Sequence, residues 1–109
     1  MPYKIVTDIA AVVRKEADDY VQEIRMALHE HPETRYETVW TRDFIVGALL
    51  DLFKRPLPIE PLKKGGIVLD LDFPNAQDRI LLRADFDALP VPEESGLPFA
   101  STIPGKSHA

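Results

Sequence analysis

The chain predicts an α/β fold, two helices packed on a sheet of about three strands. Three observations carry this. Apolar residues recur at steps of three, four and seven through the first half of the sequence. The period changes to two beyond Pro56. A short run, Ile80, Leu81 and Leu82, is apolar on both sides, as in a central strand.

The first helix is expected over residues 8–30. Ile9, Val12, Val13, Tyr20, Ile24 and Leu28 form its stripe, with Ala17 filling the gap. Asp8 reads as its N-cap, since a short acid accepts from the free amides of a first turn. Arg14, Lys15, Glu16, Asp18, Asp19 and Glu23 supply a solvated face. Pro32 closes the helix by disfavouring helical geometry at His31.

The second helix is expected from about 35 to 54. Thr34 with Glu37 fits a capping box, in which each side chain meets the other's backbone amide. Trp40, Phe44, Ala48 and Leu52 form one stripe, widened by Val39, Val46, Leu49, Leu50 and Phe53. This helix should be the more buried, and Trp40 reads as core. Pro56 and Pro58 end it.

Strands follow. Residues 57–62 are broken by proline and suit an edge. Residues 63–66, Lys-Lys-Gly-Gly, make a turn. Ile67, Leu69, Leu71 and Phe73 alternate with Val68, Asp70 and Asp72, the pattern of a half-buried strand over 67–73. Residues 74–78 turn again. A third strand is expected over 79–86. From Pro90 onward the chain is proline-rich and irregular. No repeat or linker interrupts it, so residues 1–109 read as a single domain.

Composition narrows the function classes. The 109 residues hold 45% apolar and 28% charged residues, ordinary for a globular protein. A net charge of −5 opposes nucleic acid, which recruits clustered Lys and Arg. No run approaches the ~18 apolar residues of a membrane span. The N-terminus has no apolar signal core, so a cytoplasmic location is expected. There is no cysteine, hence no disulfide, thiolate ligand or Cys nucleophile in these residues.

Asp85 and Asp87 are the leading chemical candidates. At i and i+2 of a strand they share a face. Two carboxylates at the carboxyl end of a buried strand can take a hard cation, or can simply cap the strand end. His29 and His31 sit at a helix end, where a cation complements the dipole. Ser101, Thr102 and Ser107 have no acid–base partner pattern, so a serine nucleophile is unsupported. Gly65 and Gly66 lack the flanking spacing of a phosphate loop.

Several longer motifs stand in order. They are Arg-Met-Ala-Leu-His-Glu-His-Pro-Glu at 25–33, Tyr36, Glu37 and Thr41, Leu-Arg-Ala-Asp-Phe-Asp-Ala-Leu-Pro at 82–90, and Glu-Glu-Ser-Gly-Leu-Pro-Phe-Ala-Ser at 93–101 with Pro104, Gly105 and a final Ser-His-Ala. Together, over about residues 20–109, they resemble the M20 family of metallopeptidases and amidohydrolases, in its aminoacylase-like branch (subfamily D). Thr38, Phe86 and Ser107 depart from the usual Glu, Met and Met.

The resemblance implies the opening part of an M20, zinc-peptidase-like catalytic domain, with the lid or dimerisation domain absent. It implies hydrolysis of an N-acyl amino acid or similar amide with two divalent metals, zinc, manganese or cobalt. In that family His-Ala is followed at once by Cys-Gly-His-Asp, whose Cys and His bind metal. The chain stops at Ala109, so the expectation is an inactive piece with no catalytic residue and no metal ligand of its own. Asp85 and Asp87 are then supports that orient ligands, with direct ligation as the lesser alternative. His108 matches the family His beside the site that is not a ligand. No bound cofactor is expected for this chain alone. The rivals are a non-enzymatic module that self-associates or binds a partner through an exposed sheet face, and a half-enzyme completed in trans.

Overall fold

The computed structural model describes residues 2–108. In chain order it contains α1 (Pro2–Glu30), α2 (Val39–Phe53), β1 (Ile59–Pro61) and β2 (Ile67–Leu69). The α/β class holds. The sheet has two strands, not three.

Helix α1 begins six residues before the expected start. Pro2 is tolerated there because its fixed φ suits a first turn and its missing N–H has no intrahelical acceptor. Asp8 therefore lies inside the helix instead of capping it. The side chains of Asp8 and Ile9 lie outside the described residues. Residues 10–19 are exposed on every side, with Val12 59% and Val13 57% exposed. Among the described side chains the apolar stripe meets the rest of the molecule from Tyr20 onward, where the phenol donates to the Ala48 carbonyl at 2.8 Å. The helix stops at Glu30, and Pro32 is buried behind it.

Helix α2 is shorter than the expected 35–54, and no Thr34–Glu37 capping box forms. Thr38 is the N-cap residue, and its side chain makes no capping hydrogen bond. The cap comes from further away. Glu33 Oε1 accepts from the Thr41 amide at 2.6 Å and the Thr41 hydroxyl at 2.7 Å, and Oε2 accepts from the Trp40 amide at 3.3 Å. A carboxylate there meets the positive end of the helix dipole. Trp40 is not core. It is 37% exposed and stacked between His31 at 4.4 Å and Phe44 at 5.1 Å. Lys54 closes the helix in left-handed geometry, its amide donating to Leu50 O at 3.0 Å.

β1 and β2 pair antiparallel, with Glu60 opposite Val68. The turn between them carries Gly65 at φ +90, where a Cβ would stand 2.3 Å from the Thr38 hydroxyl oxygen. Glycine is required there on both counts. A second turn follows Phe73, with Asn75 left-handed at φ 63.

Residues 79–86 do not form the third strand. They run without a turn or bend and make no backbone hydrogen bond to another described residue. Ile80, Leu81 and Leu82 are 88%, 90% and 89% exposed. A strand apolar on both faces needs neighbours on both edges, and a two-stranded ribbon offers none in reach. The small core is elsewhere, at the junction of α1, α2 and residues 88–108, where Thr34, Thr38, Thr41, Ala88 and Ser107 are buried. The Cα radius of gyration is 17.0 Å, against about 13 Å for a compact domain of this length. No described helix is long and apolar enough to cross a membrane.

Candidate functional site

Residues 88–108 fold back on the ends of both helices through a short series of backbone contacts. The Ala88 amide donates to Glu33 O at 2.7 Å, beside a parallel bridge between Thr34 and Ala88. Leu89 and Ser107 then exchange both amide bonds, at 2.8 and 3.0 Å. Ser107 Oγ donates to Val91 O at 2.9 Å, so this serine ties the end of the loop to its start. Thr102 donates through its amide (2.9 Å) and hydroxyl (2.7 Å) to Glu30 O, satisfying a carbonyl left free at the end of α1.

The Leu89–Ser107 bridge sets His108 alongside Ala88, next to Asp87. His108 Nε2 is buried and has no partner among the described residues. Burial holds the His108 imidazole below its ordinary pKa, nearby His29 adds to this, and Asp87 opposes it. The His29 and His108 ring centroids are 6.3 Å apart.

Glu93 organises the other side of this cluster. Its carboxylate accepts from the Ser95 hydroxyl and from the Ser101 amide at 3.1 Å, and lies 2.6 Å from His29 Nε2. The His29 contact is close but poorly directed as a hydrogen bond. The Ser95 hydrogen bond, the Ser101 amide and His29 hold the Glu93 carboxyl below its usual range against the effect of burial. Phe99 packs edge-on to His29 at 5.4 Å, with the Arg25 guanidinium 5.7 Å above its ring.

The three residues singled out from sequence therefore part company. Asp87 lies near enough to His108 to act on its charge, without an ion pair between them. Asp85 does not join them: its side chain is 71% exposed and pairs with Arg83 at 3.0 Å. Both aspartates line an open groove with Arg35, Lys64 and Arg83. Among the described residues no three His, Asp or Glu side chains converge as a metal cage would need. Sequence reasoning passed over Glu33 and Glu93, the two carboxylates that hold the junction together. Both stand inside the motifs at 25–33 and 93–101, so the motifs located them without revealing their partners.

No family model matches the chain. It is 40% identical over 86 residues to an N-acetyldiaminopimelate deacetylase of Listeria monocytogenes, a match covering 79% of this chain and 23% of that protein. It is 46% identical over 93 residues to a putative glutamate–cysteine ligase of Rhodococcus jostii, covering 80% of this chain and 11% of that protein. Among solved structures, the Bacillus subtilis YXEP protein, described as a dinuclear metal-binding peptidase of the M20 family, superposes with a TM-score of 0.68 at 30% identity. That match covers 84% of this chain and 26% of YXEP. The chain thus spans about a quarter of the length of the deacetylase and of the peptidase.

Proposed function

We propose that this chain is the opening segment of an M20-type catalytic domain in the aminoacylase-like branch, serving metal-dependent hydrolysis of an N-acyl amino acid in the cytoplasm, and that it does not hydrolyse alone. The observation that carries this reading is the superposition on YXEP across most of the chain, in agreement with the sequence match to deacetylases. The ligase name belongs to a protein of which the match covers 11%, and nothing in the geometry of the described residues favours it.

The residues present do not fit a two-metal centre. Asp85 is committed to Arg83 in solvent, and Asp87 stands beside one imidazole. A catalytic zinc normally takes three protein ligands, and a two-metal site needs more. The role open to this chain's own residues is support. Glu33 fixes the start of α2 and, through its carbonyl, the backbone at Ala88. Glu93 fixes His29 and the 93–101 loop. These two anchors would hold Asp87 and His108 at the edge of a site whose ligands come from other residues.

Reading the coding DNA beyond codon 109 tests the assignment. Cys-Gly-His-Asp directly after Ala109, in any frame, is the expected result. A continuation without a Cys or His ligand within the next turn of chain would overturn it.

A further inference from the structure

Arg35 occupies a backbone position that suits glycine. It follows Thr34 in a turn closed by the Glu37 amide, which donates to Thr34 O at 3.1 Å, and its φ is 58. Left-handed geometry crowds the Cβ of most residues, and turns of this kind favour Gly, Asn or Asp. The Arg35 side chain makes no hydrogen bond or ion pair among the described residues that would offset the strain. A long cation held in such a conformation points to a role outside local folding.

Lys64 stands near it across a fixed joint. The turn at 63–66 packs Gly65 against Thr38, which is buried and whose hydroxyl donates to Gly65 O at 3.5 Å. A Cβ at Gly65 would also lie 3.5 Å from Tyr36 O. The two turns therefore keep a set spacing. The Lys64 ammonium sits 4.7 Å from the centre of the exposed Tyr36 ring, which places the charge without neutralising it. Lys64 likewise has no acid partner among the described residues, whereas Arg83 is committed to Asp85 at 3.0 Å.

We infer that Arg35 and Lys64 form an anion subsite that takes the carboxylate of the N-acyl amino acid. The inference rests on the amide-hydrolase reading, which supplies the substrate class. The two cations supply the place where its charge goes. Both line the groove that also holds Asp87, the residue set at the edge of the reacting centre in that reading. The groove encloses about 510 Å³, within the ~300–1,000 Å³ of small-molecule sites. Its wall carries Arg35, Lys64 and Arg83 against Asp85 and Asp87, a cation in excess, in a chain of net charge −5. An anion approaching an otherwise acidic surface is drawn to such a spot. The guanidinium offers a carboxylate two parallel donors, and the ammonium adds a third that can turn to meet it.

Titration of N-acetylglycine into the chain, followed by amide NMR, tests the subsite without requiring turnover. Saturable shifts at Tyr36, Gly65 and Gly66 are expected. N-acetylglycinamide, which lacks the charge, should bind at least ~5-fold more weakly, as loss of a charge-assisted contact requires. Arg35→Gly and Lys64→Gln should each weaken N-acetylglycine binding by a similar factor. Lys63→Gln, in the same turn but outside the groove, should not. Arg35→Gly also separates binding from folding. Glycine relieves the left-handed backbone, so the melting temperature should rise while affinity falls; a structural role for Arg35 would lower the melting temperature instead. Inorganic phosphate, with more charge and no acyl group, should bind no more tightly than N-acetylglycine. Tighter phosphate binding would assign the two cations to a phosphate-bearing ligand and overturn the proposal. Equal binding of the acid and its amide, or unchanged affinity in Arg35→Gly and Lys64→Gln, would also overturn it. An absence of any shift would remove the subsite and leave the hydrolase assignment to be decided by the coding DNA.

Discussion

Glu33 is bound to Thr41 twice, through the amide at 2.6 Å and the hydroxyl at 2.7 Å, both on one carboxylate oxygen. The pair spans the turn between α1 and α2, and Thr41 is wholly buried. The Glu33 carbonyl meanwhile accepts from the Ala88 amide. One residue therefore joins three segments of chain.

Removing that carboxylate should be felt. Glu33→Ala leaves the Trp40 and Thr41 amides and a buried hydroxyl without their acceptor, which costs about 1–3 kcal/mol. Glu33→Gln keeps an acceptor and should lose less. Urea unfolding of the two variants measures both. An unchanged midpoint for Glu33→Ala would refute the cap.

Gly65 makes a second local prediction. Its φ of +90 disfavours any side chain, and an added methyl would meet the buried Thr38 hydroxyl. Gly65→Ala should destabilise by about 1–3 kcal/mol, with Gly66→Ala milder, since Gly66 lacks a positive φ. Reversal of that order in thermal melts would contradict the account of the turn.

Acid should loosen the 88–108 loop in two stages. Folding holds His108 below its ordinary pKa, so the folded state disfavours the proton that the unfolded chain accepts. Its contribution is complete well above about pH 6.5 and declines as pH falls through that value. Glu93 is also held low, so its contribution persists above the ordinary carboxylate range and is lost as pH drops through its folded value. The melting temperature should therefore fall between pH 7.5 and 5.5, then again below about pH 4.5, the ordinary glutamate range. His108→Asn should flatten the first step and Glu93→Gln the second. A melting temperature that rises on acidification would contradict both signs.

Much of the fold is legible in sequence where the signal is local. Pro32 and Pro56 bound the helices as their ring geometry demands, and the turns at 63–66 and 74–78 form where Gly65 and Asn75 allow positive φ. Signals that depend on distant partners mislead. The Thr34–Glu37 spacing satisfies the capping-box rule, yet the helix starts later, and Glu33 reaches seven and eight residues ahead to accept from the Trp40 and Thr41 amides instead. Ile80 to Leu82 has the composition of a central strand, but a strand exists only where other strands pair with it. His108 is brought near Asp87 by the Leu89–Ser107 bridge, a pairing across 18 residues that no periodicity announces. The motifs at 25–33 and 93–101 place Glu33 and Glu93 in order along the chain, and the folded structure supplies their contacts.

In the proposed reading, Asp85, Asp87 and His108 flank a metal centre that other residues complete. Elemental analysis of the dialysed chain, alongside an N-acyl amino acid assay with added zinc, manganese or cobalt, tests this most directly. The expected result is metal far below one equivalent and no turnover above background. About one equivalent of retained metal, or turnover abolished by Asp85→Ala, would contradict it.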